Sequence, residues 1–144
     1  MPGVVLALWA RDALHGLHVT VLDANHKKAA FLRQAKIELK LEHLGVVGER
    51  VEAFRPAQPF GQIISRAFSD LGEFVSLTRH LGAGRVERAP DGCEWLAMKG
   101  VHPHEEIAQL PPDMQVARVH RLKVPGLEAE RHLVVLHRNE TPSA

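Results

Sequence analysis

The chain has 144 residues and a mass of 16.0 kDa, enough for one domain and too short for two. Apolar residues make up 45% and charged residues 24%, which excludes a disordered chain; no apolar run approaches the ~18–20 residues that span a bilayer. A single cysteine, Cys93, excludes an internal disulfide framework, and a net charge of +1 announces no nucleic-acid binder, although local patches count for more than totals. No charged segment leads into an apolar stretch and a small-residue cleavage site, so the expected compartment is the reducing cytoplasm.

In chain order, Pro2-Gly3 opens a predicted helix over residues 4–14 that Gly16 closes. Residues 18–23 form a β-branched strand ending in Asp23. Asn25 is the predicted N-cap of a helix reaching Leu41, with Phe31, Leu32, Ala35 and Leu39 on one face and Arg33, Lys36 and Lys40 on another. Leu44–Val47 is a short strand, residues 55–59 are a Pro-bearing loop, and Gln62–Ser65 is the next strand. Asp70 caps a helix through Leu81, stopped by Gly82 and Gly84. A polar loop over 85–92, a strand over 95–98 and a short helix over 103–110 follow. Residues 115–124 and Arg131–Arg138 are predicted to close the fold as an antiparallel pair joined through Pro125-Gly126, and the tail from Asn139 is expected to fray. Strands alternating with helices point to βαβ units and a parallel sheet.

The first 25 residues carry the strongest chemical hint. In a nucleoside-binding βαβ unit, glycines let the backbone approach the ligand, and an acid about 20 residues on accepts hydrogen bonds from the ribose. Gly3 opens a helix and Asp23 ends the following strand, and a carboxylate can accept from both hydroxyls of a diol. Many strands in α/β proteins end in Asp for capping alone, so both readings of Asp23 stand. His102-Pro-His104-Glu105 lacks further ligands at metal-binding spacing, and Cys93 has no evident base nearby; neither a metal nor a cysteine nucleophile is expected.

Pro2-Gly3, Val21-Leu-Asp23, Lys28-Ala-Ala-Phe-Leu-Arg33, Glu49-Arg-Val-Glu52, Ile64-Ser-Arg-Ala-Phe68, Ala97-Met-Lys-Gly100 and Glu130-Arg-His-Leu-Val-Val135 occur in that order. Together they resemble the RsmG (GidB) family of small-subunit ribosomal RNA methyltransferases, from Pro2 to about His137. The resemblance implies an α/β fold of the class I, S-adenosylmethionine-dependent methyltransferase type: Rossmann-like, with a mostly parallel sheet and an antiparallel closing hairpin. It implies methylation of guanine N7 in 16S ribosomal RNA, with S-adenosylmethionine as cofactor and the ribosomal RNA or small subunit as partner. Carried over, Gly3, Asp23, Val51, Glu52 and Arg66 would bind the cofactor: Asp23 at the ribose, Val51 and Glu52 beside the adenine. Lys99 and Arg131 are assigned to RNA phosphates. Plainer readings stand beside these: Glu52 a solvated turn residue, Arg66 an ion-pair partner of Asp70 or Glu73, Lys99 a solvated strand end, Arg131 an exposed hairpin corner. The face of Arg33, Lys36 and Lys40 reads first as a solvated surface. No catalytic acid or base is assigned, because N7 carries a lone pair and no hydrogen.

The chain departs from the family at its front. The family's first strand and Gly-rich loop have no counterpart before Pro2-Gly3, so residues 1–144 are expected to form a single, incomplete domain. Loss of a central strand leaves two edges unpaired and predicts weak or absent cofactor binding and partial folding. A late start site or a truncated gene would account for it. The rival readings are a non-catalytic remnant that binds RNA or a protein partner, and a nicotinamide-dependent Rossmann enzyme.

Overall fold

The computed structural model describes residues 2–13, 16–66, 70–82 and 92–139. They form two compact units, Met1–Phe54 and Arg55–Ala144, each with its own core.

In the first unit, α1 (Pro2–Ala13), β1 (Val19–Leu22), α2 (His26–Glu38) and β2 (Leu44–Val47) make one βαβ crossover preceded by a helix. β1 and β2 pair in parallel, in register from Val19 with Leu44 to Leu22 with Val47. Gly3, Ala7 and Ala10 recur at helical spacing and are all buried, so α1 turns a face of small residues inward. Ala7 joins Val21, Leu32, Leu41 and Leu44 in the core. Arg11 donates to the Leu39 carbonyl (3.1 Å), and the His43 ring donates through Nε2 to the Ala7 carbonyl (2.8 Å), fastening the helix to the rest of the unit. Asn25 caps α2 as the sequence predicts, accepting from the N–H groups of Lys27 (3.0 Å) and Lys28 (3.2 Å). The predicted inner face of α2 needs correction. Ala29 and Leu32 point inward, whereas Phe31 is 72% exposed and Leu39 lies at the C-cap beyond the last helical turn. Successive helix positions differ by about 100°, so Phe31 and Leu32 cannot share a buried stripe this narrow.

The second unit holds β3 (Gln62–Ser65), α3 (Leu71–Thr78) with a 3-10 turn over Arg79–Leu81, β4 (Glu94–Lys99), α4 (His104–Ala108), β5 (Met114–Leu122) and β6 (Arg131–Arg138). The strand order is β3-β4-β6-β5. β3 and β4 are parallel; β6 runs antiparallel to both β4 and β5, which forms the predicted closing pair, with a register shift between Val116 and Arg118. Asp70 caps α3 through the Glu73 N–H (2.7 Å). Trp95, Phe74, Leu71, Val134 and Leu136 fill the core, and the Trp95 indole N–H is satisfied by Thr78 Oγ1 at 2.9 Å. Gly82 lies so close to the Trp95 ring that an added Cβ would stand 2.9 Å from it. Most of the predicted polar loop over 85–92, Gly84 and the tail beyond Asn139 lie outside the described residues. No helix among the described residues is long and apolar enough to cross a membrane.

Candidate functional site

In open α/β sheets, ligands gather at the carboxyl ends of the strands. Asp23 stands there in the first unit, directly after β1, where its N–H donates to the Val47 carbonyl at 3.1 Å. One carboxylate oxygen, Oδ1, accepts from the Asn25 N–H at 2.8 Å; no described residue engages the other. The carboxylate is thus oriented by the backbone and keeps an acceptor oxygen for a ligand. That arrangement fits a ribose diol.

Val51 and Glu52 sit in the turn that follows β2, closed by the N–H groups of Ala53 and Phe54 donating to the Arg50 carbonyl at 3.0 and 3.2 Å. They share the carboxyl edge of β1–β2 with Asp23, Glu52 exposed and Val51 half-buried. Arg33 reaches from α2 toward the same edge: a Cβ at Gly48 would lie 3.4 Å from its Nη2. Gly3 belongs to the first turn of α1, where an added Cβ would come within 2.2 Å of Val21 Cγ1. Its evident structural task is close helix–strand packing.

In the second unit, Arg66 follows β3 and Lys99 ends β4. The two line one shallow recess together with Asp70, Leu71 and Met98. Arg66 is exposed and makes no ion pair with Asp70 or Glu73, so the structural reading of this arginine finds no support among the described residues. Lys99 is held by Glu106, Nζ to Oε1 at 2.7 Å, and the same oxygen accepts the Leu71 N–H at 3.0 Å. Glu106 therefore joins the start of α3, the end of β4 and α4, a role with no signal in the sequence because its partners lie far apart along the chain. Arg131 donates to the Glu130 carbonyl (2.8 Å), and its guanidinium lies over Gly100, immediately after Lys99. The structure thus brings Lys99 and Arg131 to one corner.

Three imidazoles occupy that corner. His132 donates through Nδ1 to the Gly100 carbonyl at 2.7 Å. The His102 ring stacks on His104 with centroids 3.9 Å apart and meets His132 edge-on at 5.5 Å. His102 Nδ1 is buried without a hydrogen-bond partner among the described residues, and burial, followed by the charges of His104 and His132, holds its pKa below the ordinary histidine value. No group of three or more His, Cys, Asp or Glu among the described residues is arranged to hold a metal ion.

A family model described as "rRNA small subunit methyltransferase G" matches residues 1–134. A ribosomal RNA small subunit methyltransferase G of Laribacter hongkongensis (strain HLHK9) is 58% identical over 136 residues, covering 94% of this chain and 60% of that protein. The chain thus spans about three-fifths of the length of this relative. Among solved structures, TrmN from Thermus thermophilus superposes with a TM-score of 0.62 at 17% identity, covering 93% of this chain and 40% of that one. An rRNA methylase from Streptococcus thermophilus superposes with a TM-score of 0.55 at 13% identity, covering 85% and 74%. At such identities these likenesses speak for the fold. The chain belongs to the small-subunit ribosomal RNA methyltransferase G family and carries the α/β fold of the class I methyltransferases.

Proposed function

We propose that this chain is part of a cytoplasmic S-adenosylmethionine-dependent methyltransferase acting on N7 of a guanine in 16S ribosomal RNA. The observation that carries the reading is the Asp23 carboxylate at the carboxyl edge of β1, fixed through one oxygen and engaged by no described residue through the other. Asp23 would hold the ribose hydroxyls and Val51 and Glu52 the adenine edge; Arg66 matches the family's cofactor-binding arginine. S-adenosylmethionine would supply the methyl group as an electrophile. The target nitrogen carries an in-plane lone pair and no hydrogen, so no side chain has to remove a proton. The chain's task is then to hold the reactants in line, which is catalysis by proximity and orientation. Arg131 and Lys99 are assigned to RNA phosphates. For Lys99 this requires phosphate to compete with Glu106.

Calorimetric titration with S-adenosylmethionine, followed by methyl transfer to unmethylated 16S ribosomal RNA, tests the reading. Saturable binding and label at guanine N7 are expected of a version extended to the length of its relatives, and weak or absent binding of residues 1–144 alone. In that full-length version, Asp23→Ala should weaken cofactor binding by about 1–3 kcal/mol, and unchanged affinity would remove Asp23 from the site. RNA binding with no transfer would favour a non-catalytic role; binding of a nicotinamide dinucleotide in place of S-adenosylmethionine would overturn the proposal.

A further inference from the structure

Helix α2 carries more positive charge than anything in its packing uses. Residues 26–40 include five basic residues, Lys27, Lys28, Arg33, Lys36 and Lys40, against one acid, Glu38, in a chain whose net charge is only +1. Glu38 is occupied by Gln34, Nε2 to Oε1 at 3.1 Å. Lys27 and Lys28 are exposed and have no ion-pair partner among the described residues. The first turn contains no acid. Lysines there oppose the helix dipole, so they do not serve the helix itself. A local preference broken without a structural gain points to a use outside the fold.

Phe31 stands one turn further along, 72% exposed, three residues from Lys28 and four from Lys27. Side chains three and four apart are neighbours on a helix surface, so Phe31 and the two lysines share one side of α2. A solvent-facing aromatic face between two cations matches a nucleotide, whose base can stack while its phosphates are neutralised. The apolar surface is interrupted by Gln34 and Glu38, which suits neither a buried helix partner nor the core of a lipid surface.

We infer that the outer face of α2, centred on Phe31 with Lys27 and Lys28, is a docking surface for single-stranded RNA. The inference rests on the ribosomal RNA reading above and adds a contact surface separate from the residues assigned to the cofactor.

Fluorescence anisotropy of the whole chain with a fluorescein-labelled single-stranded RNA of about 16 nucleotides tests it. Phe31→Ala should weaken binding about five-fold or more, and Phe31→Trp should restore it. Replacing Lys27 and Lys28 together by Ala should lower the slope of log affinity against log salt by about 0.7 per lysine. All three positions are exposed, and circular dichroism confirms that each variant is folded. Wild-type RNA affinity and salt slope in these variants would overturn the inference. So would a Phe31→Ala phenotype confined to sedimentation behaviour or to binding of phosphatidylserine vesicles, which would identify a second copy or a membrane as the occupant. A parallel titration with S-adenosylmethionine separates the two proposals. Cofactor binding with α2 variants that bind RNA normally refutes only this surface; loss of RNA affinity on Phe31→Ala without cofactor binding refutes only the enzyme reading.

Discussion

Gly3 has no room for a methyl group. A Cβ there would stand 2.2 Å from Val21 Cγ1, inside the first turn of a helix whose neighbouring buried positions are also small. Gly3→Ala should therefore destabilise the chain by about 1–3 kcal/mol through overpacking, seen as a lower thermal midpoint. If the thermal midpoint is unchanged, the contact between α1 and β1 is looser than described. His102 answers to pH for a different reason. Its pKa is lowered chiefly by burial and further by His104 and His132, so the neutral ring is favoured in the folded state. The sign follows: with a folded pKa below the unfolded one, its contribution to stability is present above the ordinary histidine pKa. It is lost as pH falls through the lowered folded value. A nitrogen-detected imidazole titration should show His102 protonating below the ordinary value, and His104→Ala should move it upward.

At the scale of elements, α2 joins a well-formed cap to a narrow buried face. Two buried side chains, Ala29 and Leu32, are a thin hold for thirteen residues. Asn25 satisfies two otherwise unpaired N–H groups and sits next to Asp23, whose own oxygen fixes the Asn25 backbone. Asn25→Ala should cost about 0.5–2 kcal/mol in denaturant unfolding. Because the Asp23 carboxylate is held by the Asn25 backbone N–H, which alanine retains, the same variant should leave S-adenosylmethionine binding largely unchanged; weakened binding would tie the capping side chain to the site. α3 shows the opposite balance. It buries Leu71, Phe74, Val75 and Thr78 along eight residues, and its Asp70 cap is reinforced by Glu106 from another element.

Across the whole molecule, the two cores differ in depth. The second unit buries Trp95, Phe74, Leu71, Leu136, Val75 and Val134 around strands β4 and β6, which pair over six positions from Glu94–His137 to Lys99–His132. The first unit offers a two-stranded sheet and a smaller cluster. Native-state hydrogen exchange should accordingly find its slowest amides in β4 and β6, with β1 and β2 exchanging faster. Equal protection in both units would contradict the packing described.

What could be read from the chain alone was whatever depends on neighbours in sequence. The caps Asn25 and Asp70 and the strand runs Leu44–Val47 and Gln62–Ser65 are local matters of turn chemistry and side-chain shape. The family strings around Asp23, Arg66 and Arg131 were legible for the same reason: each is a short run of residues. The rotation of α2, which put Phe31 outside and Leu32 inside, depended on the sheet it packs against. The strand order β3-β4-β6-β5, the Glu106 link between Leu71 and Lys99, and the edge-on approach of His132 to His102 were likewise decided by tertiary structure. Most of these partners are distant along the chain, and no local propensity specifies which distant groups a packed core will bring within hydrogen-bonding reach.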